Sequence, residues 1–203
     1  MRRREFVLCG LVGTLAPTVL AARSDGDLIA RLRQGGHNIY FRHSLTRRAN
    51  QPDDDVTSCT RQRNLTEAGV ALAREIGRRV RELRLPIGAV LASPYCRCVD
   101  TARWAFDRVT VADWLESPDS AATEPEKQRV LRLKAALAAP PAARTNAVFV
   151  AHGNNLNGLT RLHDWPALPI EEGEAVVFAP NGASIPPILA RVKGMEWRNF
   201  IAT

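Results

Sequence analysis

Cysteine, lysine and long apolar runs are scarce in this chain of 203 residues. Four Cys are too few for a disulfide-dense miniprotein. The 45% apolar and 24% charged fractions exclude a disordered chain, a collagen and a multispan membrane protein. The net charge is +7, but no block of Lys and Arg is interleaved with aromatic residues. Nucleic acid is therefore not an expected partner.

The amino-terminal segment, residues 1–21, predicts a signal peptide. A basic start precedes an apolar run from Phe6 to Leu20, and small residues follow at the expected cleavage position. The run of about 15 residues is short for a transmembrane helix, which needs ~20. Its start, Arg3-Arg4-Glu5-Phe6-Val7, also resembles a twin-arginine motif, so the export route stays open. We expect a periplasmic or secreted domain of residues 22–203, with no stable membrane insertion after cleavage.

Export changes how the cysteines are interpreted. The mature chain would hold Cys59, Cys96 and Cys98, and two of them can pair in an oxidising compartment. We expect a disulfide from Cys59 to either Cys96 or Cys98. A metal site is not expected, because the three Cys and scattered His lack the paired spacing of zinc ligands.

Strand-like and helix-like segments alternate along the mature chain. Thr66 is a predicted helix N-cap, Pro86 ends that helix, and Thr123-Glu124-Pro125-Glu126 has capping-box spacing. Short apolar runs predict strands at residues 37–41, 89–92, 109–111, 147–151, 175–178 and 188–192. This order predicts one α/β domain with a largely parallel sheet and helices on both faces.

Reactive side chains follow three of these predicted strands. Arg42-His43 follows the first strand, Arg97 lies in the helix after the second, and His152 follows the strand that ends at Ala151. Ligands of such sheets bind beyond the carboxyl ends of the strands. A neutral imidazole can attack phosphorus, Arg side chains can orient phosphate oxygens, and a second His can donate to them. This pattern favours phosphoryl transfer through histidine.

Four segments, in order along the chain, resemble motifs of the histidine phosphatase superfamily, which has the phosphoglycerate-mutase-like fold. Its Arg-His-Gly signature corresponds to Tyr40-Phe41-Arg42-His43-Ser44, and its Leu-Thr-x-x-Gly helix start to Asn64-Leu65-Thr66-Glu67-Ala68-Gly69. Its Ser-Ser-Pro-x-x-Arg segment resembles Leu91-Ala92-Ser93-Pro94-Tyr95-Cys96-Arg97, followed by Thr101-Ala102. The second-histidine motif resembles Val150-Ala151-His152-Gly153. The chain is most similar to exported, short, single-domain forms.

The resemblance implies a three-layer α/β/α sandwich with a mostly parallel central sheet and no cofactor. It implies that His43 is the nucleophile and that Arg42, Arg97 and His152 form the phosphate pocket. Arg63, just before the Leu-Thr segment, is a further candidate for the phosphate, although a surface role would also suit a helix-flanking Arg.

Two features depart from the superfamily pattern. Ser44 replaces the usual Gly, and its side chain could crowd the phosphate or donate a hydrogen bond to it. The general acid that protonates the leaving group has no recognisable motif. Among Glu116, Asp119 and Glu124, Glu116 is the candidate acid, and a solvated loop is the alternative for all three.

The predicted function is that of an exported, metal-independent phosphatase, which hydrolyses a small phosphomonoester through a phosphohistidine on His43. One alternative is a catalytically silent protein that kept the phosphate pocket. The other is a phosphosugar mutase, although the chain lacks large insertions that would close the pocket over a retained intermediate.

Overall fold

The computed structural model describes residues 25–47, 56–117, 123–182 and 185–200. The predicted signal peptide, residues 1–21, lies outside the described residues, and so does Asp119. Within the described ranges, no helix is long and apolar enough to cross a membrane.

One mixed six-stranded sheet forms the centre of the domain, with the strand order β3-β2-β4-β1-β5-β6. Its strands are β1 (Asn38–Arg42), β2 (Ile87–Ala92), β3 (Thr110–Val111), β4 (Asn146–Ala151), β5 (Ala175–Phe178) and β6 (Ile188–Val192). The helices are α1 (Asp25–Gln34), α2 (Glu67–Glu82), α3 (Cys96–Phe106), α4 (Glu124–Ala138) and α5 (Gly153–His163). The first four strands run parallel, whereas β5 is antiparallel to β1 and β6 to β5. The prediction of a mostly parallel sheet is confirmed.

Local signals explain where the helices begin. The Thr66 side chain accepts a hydrogen bond from the Gly69 N–H at 3.0 Å, which caps α2. The Glu126 carboxylate accepts from the Thr123 N–H at 2.9 Å, as the capping-box spacing of α4 predicts. Both caps satisfy backbone groups that the first helical turn leaves without a partner.

The side chains of the central strands alternate between two hydrophobic layers. In β1, Ile39 and Phe41 pack in the layer that holds α1, α2 and α3, whereas Tyr40 packs in the layer that holds α4 and α5. In β4, Val148 packs in the first of these layers and Phe149 in the second, because successive strand residues point to opposite faces. The predicted three-layer α/β/α sandwich is confirmed.

The carboxyl ends of three neighbouring strands coincide. Arg42 of β1 is level with Ala151 of β4, and Ala92 of β2 is level with Val150 of β4. The residues that follow these strands therefore emerge at one edge of the sheet. The predicted reactive side chains lie at this edge.

Candidate active site

A cavity of about 440 Å³ opens at this edge of the sheet. Among the described residues, five basic side chains line it, and the sequence predicts all five as site residues: Arg42, His43, Arg63, Arg97 and His152. The remaining described lining residues are Ser117, Gly153, Asn154, Asn157, Pro169 and Ile170. Across the described part of the chain, no three or more His, Cys, Asp or Glu side chains form a group that could hold a metal ion. The lining suits an anionic ligand.

The His43 imidazole is oriented by the backbone carbonyl of the next residue, Ser44. Its Nδ1 lies 2.9 Å from the Ser44 carbonyl oxygen, which can only accept, so Nδ1 donates and the lone pair is on Nε2. The side chain is 1% exposed. Burial, together with the positive charges of Arg97, Arg42 and Arg63, lowers the pKa of His43 to about 3. His43 is therefore a neutral imidazole at neutral pH, as a nucleophile requires.

The His152 imidazole is held from several sides. Its Nδ1 lies 3.2 Å from Arg97 Nη2, and its Nε2 lies 2.9 Å from Ser93 Oγ. Because a guanidinium only donates, Nδ1 accepts and the Nε2–H faces the serine hydroxyl. Tyr40 donates to the His152 carbonyl at 2.6 Å, and the Asn155 carboxamide accepts from its N–H at 3.0 Å. Burial, followed by the charge of Arg97, holds the pKa of His152 well below its usual range.

The two imidazoles face one another across the cavity edge. The ring centroids of His43 and His152 lie 5.6 Å apart. The buried Arg97 guanidinium lies between aromatic and imidazole partners, with its Cζ 4.4 Å from the centroid of the Tyr95 ring. This contact directs the guanidinium toward the cavity and restricts its freedom.

Arg42 and Arg63 share one carboxylate. Glu172 Oε1 lies 3.5 Å from Arg42 Nη2 and 3.7 Å from Arg63 Nη2. The same carboxylate accepts from the Thr46 N–H and hydroxyl at 3.0 and 2.8 Å, and Arg42 also donates to the Ile170 carbonyl at 2.8 Å. Glu172 thus positions both arginines. The sequence carries no local signal for this role, because Glu172 lies more than 100 positions from either arginine.

A disulfide connects the two sides of the site. Cys59 is bonded to Cys96, with the Cα atoms 5.7 Å apart, so the structure selects between the two predicted partners. The bond joins the segment before Arg63 to the start of α3, one residue from Arg97. Cys98 is buried outside the disulfide, and its Sγ lies 3.6 Å from Nε2 of the second histidine.

Ser44, the departure from the usual Gly, points away from the cavity. Its hydroxyl donates to the Gly69 carbonyl at 2.7 Å, and its N–H donates to Thr101 Oγ1 at 2.9 Å. The side chain is fully buried against the start of α2. It therefore neither crowds the cavity nor adds a donor to it. Its contact ties the turn after β1 to α2 and α3.

The two acidic candidates that the structure describes, Glu116 and Glu124, are not among the described residues that line the cavity. The Glu116 carboxylate lies 2.6 Å from Arg129 Nη2, and the exposed Glu124 pairs with Lys127 at 2.8 Å. None of the described lining residues carries a carboxyl group. The assignment of Glu116 as general acid stays a prediction.

Solved structures share this architecture. The protein histidine phosphatase SixA complexed with tungstate superposes with a TM-score of 0.56 at 12% identity, over 78% of this chain and 97% of that one. The alpha-ribazole phosphatase from Shigella flexneri gives 0.55 at 17% identity, over 75% and 94%. The chain has the histidine phosphatase fold.

A further solved structure with this fold is a mutant phosphoserine phosphatase from Entamoeba histolytica in complex with phosphoserine. It gives a TM-score of 0.53 at 15% identity, over 79% of this chain and 98% of that one. No protein-family model and no curated protein sequence matches the chain. The predicted fold is thus confirmed by solved structures that share little sequence with this chain.

Proposed function

We propose that the protein is an exported phosphatase that hydrolyses a phosphomonoester through a phosphohistidine on His43, without a metal ion. One observation carries the proposal. The buried, neutral imidazole of His43 has its Nδ1 bonded to the Ser44 carbonyl, and it lines a cavity with three arginines and a second histidine. The three guanidinium groups supply the positive charge and paired donors that a phosphate dianion needs.

The first step forms the phosphoenzyme. The Nε2 lone pair of His43 attacks phosphorus, and the bond from phosphorus to the ester oxygen breaks. The electron pair stays on that oxygen, which takes up a proton to leave as the alcohol. Arg42, Arg63 and Arg97 hold the other phosphate oxygens while charge redistributes over them.

His152 can then donate a hydrogen bond to the phosphate after a change of tautomer. When Arg97 turns from His152 to a phosphate oxygen, Nδ1 can carry the proton and donate to the phosphate. Ser93 permits this exchange, because its hydroxyl can accept from Nε2–H or donate to a bare Nε2.

In the second step, water attacks phosphorus, the nitrogen–phosphorus bond breaks, and its electron pair returns to Nε2 of His43.

The shared fold supports phosphatase chemistry, since the similar structures are named phosphatases. A second candidate is a silent phosphate-binding protein. It is favoured by one observation, the lack of a carboxyl group among the described lining residues, because poor leaving groups need an acid. Aryl phosphates separate the two candidates, since their leaving groups need little protonation.

The test is hydrolysis of para-nitrophenyl phosphate by residues 22–203 in the presence of EDTA. We expect turnover in the parent protein, a loss of at least 1,000-fold in His43→Ala, and little change in His163→Ala, a matched substitution at the end of α5. A rapid acid quench should trap an acid-labile phosphoryl group in the parent protein alone. A folded protein that binds phosphate without turnover would support the silent candidate.

Export needs its own test. Expression of the full chain in a bacterial host, followed by fractionation, should place the protein in the periplasm. Amino-terminal sequencing should find a start at Ala22. A full-length protein in the cytoplasm would contradict the predicted signal peptide.

A further inference from the structure

The described residues along one wall of the cavity are polar but uncharged. Asn154 and Asn157 of α5 line it, and both are exposed. They are three residues apart, so they lie on the same side of the helix. Asn is a weak helix former, so Ala would suit exposed helical positions better. Ser117 completes the wall, with its Oγ 3.4 Å from Asn154 Nδ2.

This wall is held at a fixed distance from the phosphate-binding residues. The buried Asn155 side chain donates to the Leu115 and Glu116 carbonyls at 3.3 and 3.0 Å, which places the backbone just before Ser117. The same carboxamide accepts from the His152 N–H at 3.0 Å. The Asn155 side chain therefore connects His152, at the edge of the sheet, to the backbone before Ser117 in the polar wall. A specificity site needs rigid support of this kind.

We propose that Ser117, Asn154 and Asn157 form a leaving-group subsite that binds the hydroxyl groups of a sugar or polyol phosphate. The inference rests on the proposed function and specifies its substrate class. A carboxamide both donates and accepts, as an alcohol does, so two carboxamides and a hydroxyl match neighbouring hydroxyl groups.

The same wall disfavours other leaving groups. None of its three members carries a charge that would pair with an ammonium or carboxylate group, and none offers an aromatic ring for stacking on a base. Pro169 and Ile170, also in the lining, can contact the C–H groups of a sugar ring. The volume of about 440 Å³ is near the lower end of the range for small-molecule sites, which suits a small phosphorylated sugar.

The first experiment compares kcat/KM for para-nitrophenyl phosphate with values for glucose 6-phosphate, glucose 1-phosphate, glycerol 3-phosphate and phosphoserine. We expect at least one polyol phosphate to exceed phosphoserine by more than tenfold. The double variant Asn154→Ala/Asn157→Ala should lose about 10- to 100-fold on that substrate, since one to two hydrogen bonds are removed. Its loss on the aryl phosphate should be smaller, because the aryl group has no hydroxyl groups for the two carboxamides to bind. Gln128→Ala, an exposed amide on α4, is the control.

A binding measurement tests the subsite without turnover, so its result does not depend on whether the protein is a phosphatase. Calorimetry on His43→Ala measures the affinity for the same polyol phosphates relative to inorganic phosphate. The preference for the polyol phosphate should disappear when Asn154 and Asn157 are also replaced. An equal loss on aryl and polyol substrates, a preference for phosphoserine, or polyol phosphate binding no tighter than inorganic phosphate would overturn the subsite. Failure of aryl turnover alone would overturn only the proposed phosphatase.

Discussion

Replacing Cys59 with Ser should remove a large share of the stability of the domain. The bonded cysteines are 37 residues apart, and the chain-entropy relation for a loop of this length gives about 3.8 kcal/mol at 25 °C. Cys59 is exposed, so Ser in its place should cost the folded state little. The loss therefore arises from the greater freedom of the unfolded chain. We expect Cys59→Ser to lower the free energy of unfolding by about 3–4 kcal/mol.

Urea unfolding of residues 22–203 measures this effect. The buried Trp165 and Trp197 report the transition by fluorescence. A loss of this size corresponds to a decrease of roughly 8–15 °C in the melting temperature of a domain of this length. Dithiothreitol should reproduce the loss in the parent protein and should leave the variant unchanged.

Two results would refute the reasoning. A variant within about 1 kcal/mol of the parent protein would show that the cross-link does not restrict the unfolded chain as the relation requires. A further loss on adding reductant to Cys59→Ser would show that another bond is present. Activity is measured separately, because the same bond lies beside the segment that carries Arg63.

Three further perturbations test the site and its supports. The low pKa of His43 means that the unfolded chain binds its proton first as the pH falls, so stability should decrease by about 2 kcal/mol between pH 8 and pH 5 through this group alone. Ser93→Ala should lower kcat/KM about tenfold, because His152 loses the partner of Nε2. Gly69→Ala should destabilise the domain by about 2–3 kcal/mol, because the new Cβ would lie 2.1 Å from the Leu45 carbonyl oxygen.

Each of these perturbations has a control or a result that would contradict it. His43→Gln should give a shallower pH dependence in urea unfolding, and an unchanged slope would contradict the neutral buried imidazole. Ser93→Ala should also alter the pH profile of kcat/KM, whereas a purely structural role would move only the unfolding midpoint. Gly153→Ala is the control for Gly69→Ala in unfolding, since its Cβ would meet no atom closer than 3.8 Å.

The sequence by itself determined the elements and the order of the site residues along the chain. Helix caps at Thr66 and Thr123, apolar runs and Pro86 are local signals, and each acts within a few residues. The parallel arrangement followed from the alternation of strands and helices. It places Arg42, His43 and His152 at one edge, because parallel strands end on the same side.

Only the tertiary structure decided which distant side chains meet. Cys96 rather than Cys98 bonds to Cys59, because residues two apart on a helix point about 200° apart and only one faces the neighbouring segment. Ser44 turns toward Gly69, and Glu116 toward Arg129. These directions depend on how helices pack on the sheet, which no local pattern encodes.

The carboxylate of Glu172 is the clearest example of a contact that no local sequence pattern predicts. It meets Arg42 and Arg63 from the far end of the chain, where the loop before β5 returns to the edge of the sheet. A candidate nucleophile such as His43 can be proposed from a short motif, since neighbouring residues in sequence stay neighbours in space. The contacts that position it are formed only when strands and loops from both ends of the chain pack together.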